Sequence, residues 1–208
     1  MRKSTNLDKD ILVYSGNVLA DTMGKCIGKI ELSDNTALIL YEGDFCRFPG
    51  FMAVTVPLGS VPFCSDFSEN ERTEIGKLAR ENGLSRDGTC VIKILQSEVE
   101  KQEIDLTGIC FHEIRHVQQF SYKKDVYKLL CEQLESSTSC RPDRLDMKFE
   151  QDAIIYSRDK LREVGFPEDE IKLFLRKHYP SFWEYFMTAN PITISEVADD
   201  AKVNACRK

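Results

Sequence analysis

Residues His112-Glu113-Ile114-Arg115-His116 place two imidazoles and a carboxylate within five positions. On an α-helix, positions i and i+4 share a face, so the two rings can converge on one ion. Neutral imidazole is a good zinc ligand. Glu113 stands about 100° round the helix from His112, within reach of a metal-held water without being a ligand itself. Zinc lowers the pKa of such a water towards about 7, and a neighbouring carboxylate accepts the proton as the water attacks a carbonyl. The pattern points to hydrolysis, with His112 and His116 as metal ligands and Glu113 as general base. The bland alternative is a surface helix carrying two solvated histidines. The flanks argue against it. Leu106, Cys110, Glu113, Val117 and Phe120 follow helical spacing and make an apolar stripe holding one carboxylate, which is costly unless something compensates.

A catalytic zinc site takes three protein ligands and keeps one open position. No third histidine follows at short spacing, and His178 is distant in sequence. Glu150 and Asp152 are the candidates. Glu150 shares a largely apolar helical stripe with Met147, Ile154 and Leu161, and Asp152 shares one with Leu145, Phe149 and Tyr156. Tyr156, His178 and Tyr179 are candidates to stabilise an oxyanion. His178 near a helix end equally suits an interaction with the helix dipole. Phe182, Trp183, Tyr185 and Phe186 read as core or helix packing.

The elements that must position these residues divide along the chain. The first hundred residues read as strand and turn, with short β-branched runs at Asp10 to Tyr14, Ala37 to Tyr41, Met52 to Val56 and Cys90 to Leu95. One helix interrupts them. Ser68 and Glu71 make a capping-box pattern, and Gly83 can end the helix after Asn82. The second half reads as helical. The spacing predicts helices from Asp105 to about Tyr122, from Pro142 to Val164 with Gly165 as the stop, from Pro167 through Lys177, and from about Ser195. Strands first and helices afterwards imply one α+β domain over 1–208. Its small mixed or antiparallel sheet would pack on the His112–His116 helix and the helices after it.

The run His-Glu-Ile-Arg-His-Val-Gln-Gln, followed by Glu150-Gln151-Asp152-Ala153, resembles the gluzincin group of zincin-like metallopeptidases. The likeness covers residues 104–157, about a quarter of the chain. It implies a zincin-like fold, zinc as cofactor, His112, His116 and Glu150 as ligands, Glu113 as base, and a protein or peptide amide as substrate. Two positions depart from the group's pattern. Arg115 is charged where many members carry an uncharged residue, and Ile154 stands where an Asp often supports a ligand by a hydrogen bond. Asp152 or Asp146 can take over that support. The competing expectation is a metal-binding or interaction protein that keeps the scaffold without turnover.

Composition narrows the partners. The chain has 208 residues and a formal net charge of −6. Without a basic stripe it is a poor nucleic-acid binder. No apolar run is long enough to span a bilayer. Asp8, Lys9 and Asp10 interrupt the N-terminal stretch before any signal-like apolar run, so the expected location is cytoplasmic. The eight cysteines show no C-x2-C or C-x4-C spacing, which disfavours a zinc ribbon. Most read as small buried hydrophobes in a reducing compartment, with Cys131 to Cys140 a conceivable bridge after export. Oligomeric state leaves no mark on the sequence.

Overall fold

The runs Ala-Leu-Ile-Leu-Tyr-Glu-Gly at 37–43 and Thr-Cys-Val-Ile-Lys-Ile-Leu at 89–95 are almost continuously apolar. Such runs suit strands covered on both faces. A computed structural model describes residues 4–8, 11–14, 17–28, 36–43, 53–62, 64, 66–95, 97, 102–122 and 148–205. Its strands are β1 (Ser4–Asp8), β2 (Ile11–Tyr14), β3 (Ala37–Gly43), β4 (Ala53–Pro57) and β5 (Thr89–Leu95). Its helices are α1 (Asn17–Ile27), α2 (Glu69–Glu81), α3 (Glu103–Tyr122), α4 (Lys148–Glu163), α5 (Glu168–His178), α6 (Trp183–Thr188) and α7 (Ile194–Ala205). The fold is mixed α+β.

The five strands form one sheet in the order β1-β2-β3-β5-β4. The inner pairs β2/β3 and β3/β5 are parallel, and the outer pairs β1/β2 and β4/β5 are antiparallel. Period-two alternation splits the side chains of β3 and β5 between two cores. Leu38, Leu40, Ile92 and Ile94 join Leu19 and Met23 of α1 and the apolar residues of α3. Ile39, Tyr41, Val54, Val56 and Val91 join Ile75 and Ala79 of α2. The sheet is thus a partition, with α1 and α3 on one side and α2 on the other.

The expected capping box holds. Ser68 Oγ accepts from the Glu71 N–H, and Glu71 Oε2 accepts from the Ser68 N–H. Gly83 and Gly165, the expected stops, both adopt positive φ, at 64° and 97°. The helical stretch beginning at Pro142 is described only from Lys148 onward, so Leu145, Asp146 and Met147 lie outside the described residues. Two expectations need correction. Asn17–Ile27 is a second helix in the strand-rich half, held by Leu19, Met23 and Cys26 against α3. The last helix starts one residue early, at Ile194. Thr193 and Glu196 make a reciprocal cap there, because Thr193 Oγ1 accepts from the Glu196 N–H while Glu196 Oε2 accepts from the Thr193 N–H.

Helix α3 is the spine of the fold. Fifteen of its twenty residues are buried, so it is covered nearly all round rather than along one stripe. Gly108 lets α5 approach. A Cβ there would sit 2.5 Å from the Phe174 ring, and Ser157 Oγ of α4 donates to the Gly108 carbonyl at 2.7 Å.

Candidate metal centre

His112 and His116 stand one turn apart on α3 and turn their Nε2 atoms towards each other, 3.0 Å apart. The first turn of α4 brings Glu150 to the same point. Its Oε2 lies 3.4 Å from His112 Nε2 and 3.7 Å from His116 Nε2. These three residues can hold a metal ion. A tetrahedral ion with bonds of about 2.0–2.2 Å has ligand–ligand edges of about 3.3–3.6 Å. The triangle of 3.0, 3.4 and 3.7 Å brackets that range.

Electrostatics point the same way. Burial opposes a charge on His116, but Glu150, Glu113 and Gln119 outweigh it and push its pKa up to about 9. Burial likewise opposes the Glu150 carboxylate, but the two histidines hold it well below the usual carboxylate range. The cluster keeps a proton and an anion together at neutral pH, in the place a cation would take.

Glu113 flanks the cluster, with Oε1 4.0 Å from His112 Nε2. Its other oxygen is fixed. Thr55 Oγ1 of β4 donates to Oε2 at 2.6 Å and also lies 3.2 Å from the Glu113 carbonyl. Both residues are buried. The antiparallel outer strand therefore pins one carboxylate oxygen and leaves the other facing the histidines.

Behind His116 runs a chain of hydrogen bonds. Its Nδ1 meets Gln119 Oε1 at 2.8 Å, which holds a proton on Nδ1, so the proton that an ion must displace is the one on Nε2. Gln119 Nε2 donates to Asp152 Oδ2 at 2.7 Å and to the Phe149 carbonyl at 2.9 Å. Arg115 grips Asp152 with both ends of its fork, Nε to Oδ2 at 2.8 Å and Nη2 to Oδ1 at 3.1 Å. His112 has no such support, since its Nδ1 is buried without a partner. The Tyr179 ring lies beside it, with centroids 6.4 Å apart and 24° between the planes.

Between the two candidate acids, the structure brings Glu150 to the histidines and gives Asp152 to Arg115 and Gln119. Asp152 supports His116 from behind, through Gln119, and does not face the cluster. Arg115 neutralises that buried acid. Tyr156 is not at the cluster. Its ring lies under the Arg115 guanidinium, 4.7 Å from centroid to Cζ, and burial above all pushes its hydroxyl up to about 12. His178 is also elsewhere, with Nε2 at 2.8 Å from Asp105 Oδ1. Burial would raise Asp105, but Lys177 and His178 lower it, so the group is an ion-pair clasp between α5 and the start of α3. Of the three oxyanion candidates Tyr179 has its ring beside the cluster, with its centroid 6.4 Å from that of His112. Trp183 packs under Lys172 and Arg176, and Phe186 is fully buried.

Thr55 escaped the sequence reading because a threonine in a β-branched run is ordinary strand material. Gln119 entered only as the last residue of the His-Glu-Ile-Arg-His-Val-Gln-Gln run. Its position three residues after His116 put it on the same helix face, which is the one signal that was present.

Among the described residues Cys26, Cys64, Cys90 and Cys110 form no disulfide, and the Cys131–Cys140 pair lies outside them. A hydrogen bond with Cys26, together with burial, raises the Cys110 thiol. No described helix is long and apolar enough to cross a membrane. Comparison with protein families, curated proteins and solved structures finds no match for this chain.

Proposed function

We propose that this chain is a zinc-dependent hydrolase of the HExxH type, a zincin-like peptidase acting on a protein or peptide amide. One observation carries the reading. Two imidazole nitrogens and a carboxylate oxygen converge at ion-binding separations, and a second carboxylate with one free oxygen stands beside them. A donor set of two histidines and one glutamate suits zinc.

Zinc bound there supplies Lewis acidity, which acidifies water and polarises a carbonyl. The remaining work belongs to the side chains. His112, His116 and Glu150 hold the ion. Gln119 holds a proton of His116 on Nδ1, so that Nε2 is the nitrogen left to the ion. Glu113 accepts the proton of the attacking water at Oε1 and passes it to the leaving amine. Thr55 fixes Oε2, so the carboxylate cannot rotate away between these events.

Metal analysis of the purified chain, with hydrolysis of an unfolded protein substrate, tests the reading. About one zinc per chain is expected, lost in His112→Ala and in Glu150→Ala. Glu113→Gln is expected to keep the zinc and lose hydrolysis. Zinc retained by every variant overturns the site. Metal without turnover in the parent chain selects the silent metal-binding alternative.

A further inference from the structure

On the α2 side of the sheet, away from the histidines, a cavity of about 160 Å³ opens beside the turn after β4. Its apolar lining includes Leu58, Val61, Ile75, Ala79 and Leu84. Arg72, Arg80 and Arg86 stand around it, and no acidic residue lines it among the described residues. In a chain of net charge −6, three guanidinium groups at one pocket without a carboxylate call for an account. The hydrogen bonding of Arg72 is incomplete. Its Nη2 donates to the Cys64 carbonyl at 2.8 Å, while its Nε is buried without a partner. A buried N–H left unmade is costly, and like charges gathered around one pocket repel. An anion entering the pocket relieves the repulsion.

The cavity's chemistry narrows the anion. A planar guanidinium fork matches a two-oxygen acid. A bare inorganic anion would leave the apolar floor uncovered, whereas an aliphatic stem would fill it. At about 30 Å³ per water-sized volume the cavity holds roughly five, too small for a nucleotide. We propose that this pocket binds a carboxylate carried on a short aliphatic stem. A free small acid has this chemistry, and so does the C-terminal residue of a peptide ending in leucine. The inference rests on the arginines and the cavity, and stands or falls separately from the metal centre.

Four probes test it on the full chain by titration calorimetry: 4-methylpentanoate, 4-methylpentanamide, a short peptide ending in leucine, and the same peptide as its C-terminal amide. Saturable binding of the acid, the free peptide or both is expected, at a Kd of about 1 mM or tighter. The pair identifies the source, because a free-acid site takes the pentanoate alone and a chain-end site favours the peptide. Arg80 and Arg86 are exposed and make no ion pair among the described residues, so Arg80→Gln and Arg86→Gln are expected to leave the fold intact. Each is expected to weaken binding about tenfold. Three results overturn the proposal: no binding by any probe, equal binding of the amides, or binding that both variants leave unchanged.

Discussion

Gln119→Met tests the chain of hydrogen bonds behind the histidines. Gln119 is 0 % exposed, and methionine has nearly its length without its donors or acceptor. The substitution leaves His116 Nδ1 buried without an acceptor, at a cost of about 1–3 kcal/mol. It also removes one of three bonds to the buried Asp152 carboxylate, about 1.5 kcal/mol more, since Arg115 keeps its two. The sum is about 3 kcal/mol. For a chain of this size each kcal/mol lowers Tm by about 2–4 °C, so calorimetry of metal-free protein should show a fall of about 6–12 °C. Nδ1 is then no longer held as the donor, and zinc affinity should drop about 10–100-fold, read by competition with a chromophoric chelator. A Tm within about 2 °C of the parent together with unchanged affinity would refute the reasoning. A lowered Tm with unchanged affinity would leave the network structural and remove its action on the metal.

Three further outcomes follow from the same geometry. Thr55→Val keeps the shape but removes a bond to a buried carboxylate, so chemical denaturation should show a loss of about 1.5–3 kcal/mol with zinc stoichiometry unchanged and hydrolysis reduced. Gly108→Ala drives a methyl into the Phe174 ring and should cost about 1–3 kcal/mol in the same assay, with Phe174→Leu partly restoring it. The third concerns pH. The raised pKa of His116 gives the metal-free protein stability that is complete below about 6.5 and lost as pH rises through about 9. The lowered Glu150 gives stability present above its ordinary value and lost in acid. Metal must displace the His116 proton, so zinc affinity should rise about tenfold per pH unit up to about 9 and then level off, with about one proton released per ion in unbuffered titration.

Local signals carried most of what could be read in advance. The Ser68–Glu71 cap, the stops at Gly83 and Gly165, and the i,i+4 histidines each lie within one turn, and each stands as expected. Glu150 and Asp152 looked alike because both are acids on half-apolar stripes of one helix. What separates them is Arg115, 37 residues from Asp152, and no local pattern records that pairing. The helix at 17–27 was missed for a related reason. Its sequence carries Gly24 and no acidic residue in the first turn, and its apolar face gains meaning only against α3. The inner parallel strands were visible as unbroken apolar runs, yet their order was not, because register is set by contacts between distant segments.

Glu71 serves two masters. It closes the cap of α2, and it also meets the ammonium of Lys93 at 2.9 Å, on a side chain fully buried in β5. The Lys93 Nζ further donates to the Asp66 carbonyl at 2.7 Å and lies 5.3 Å from the centre of the Phe67 ring. The first turn of α2 therefore cannot fray alone, because unwinding it strands a cation inside the sheet. Helix and strand should open as one cooperative unit, and their amides should exchange with solvent at a common, slow rate. An isolated peptide of 66–83 would lack that coupling and lose its helix, although its cap is written entirely in its own residues.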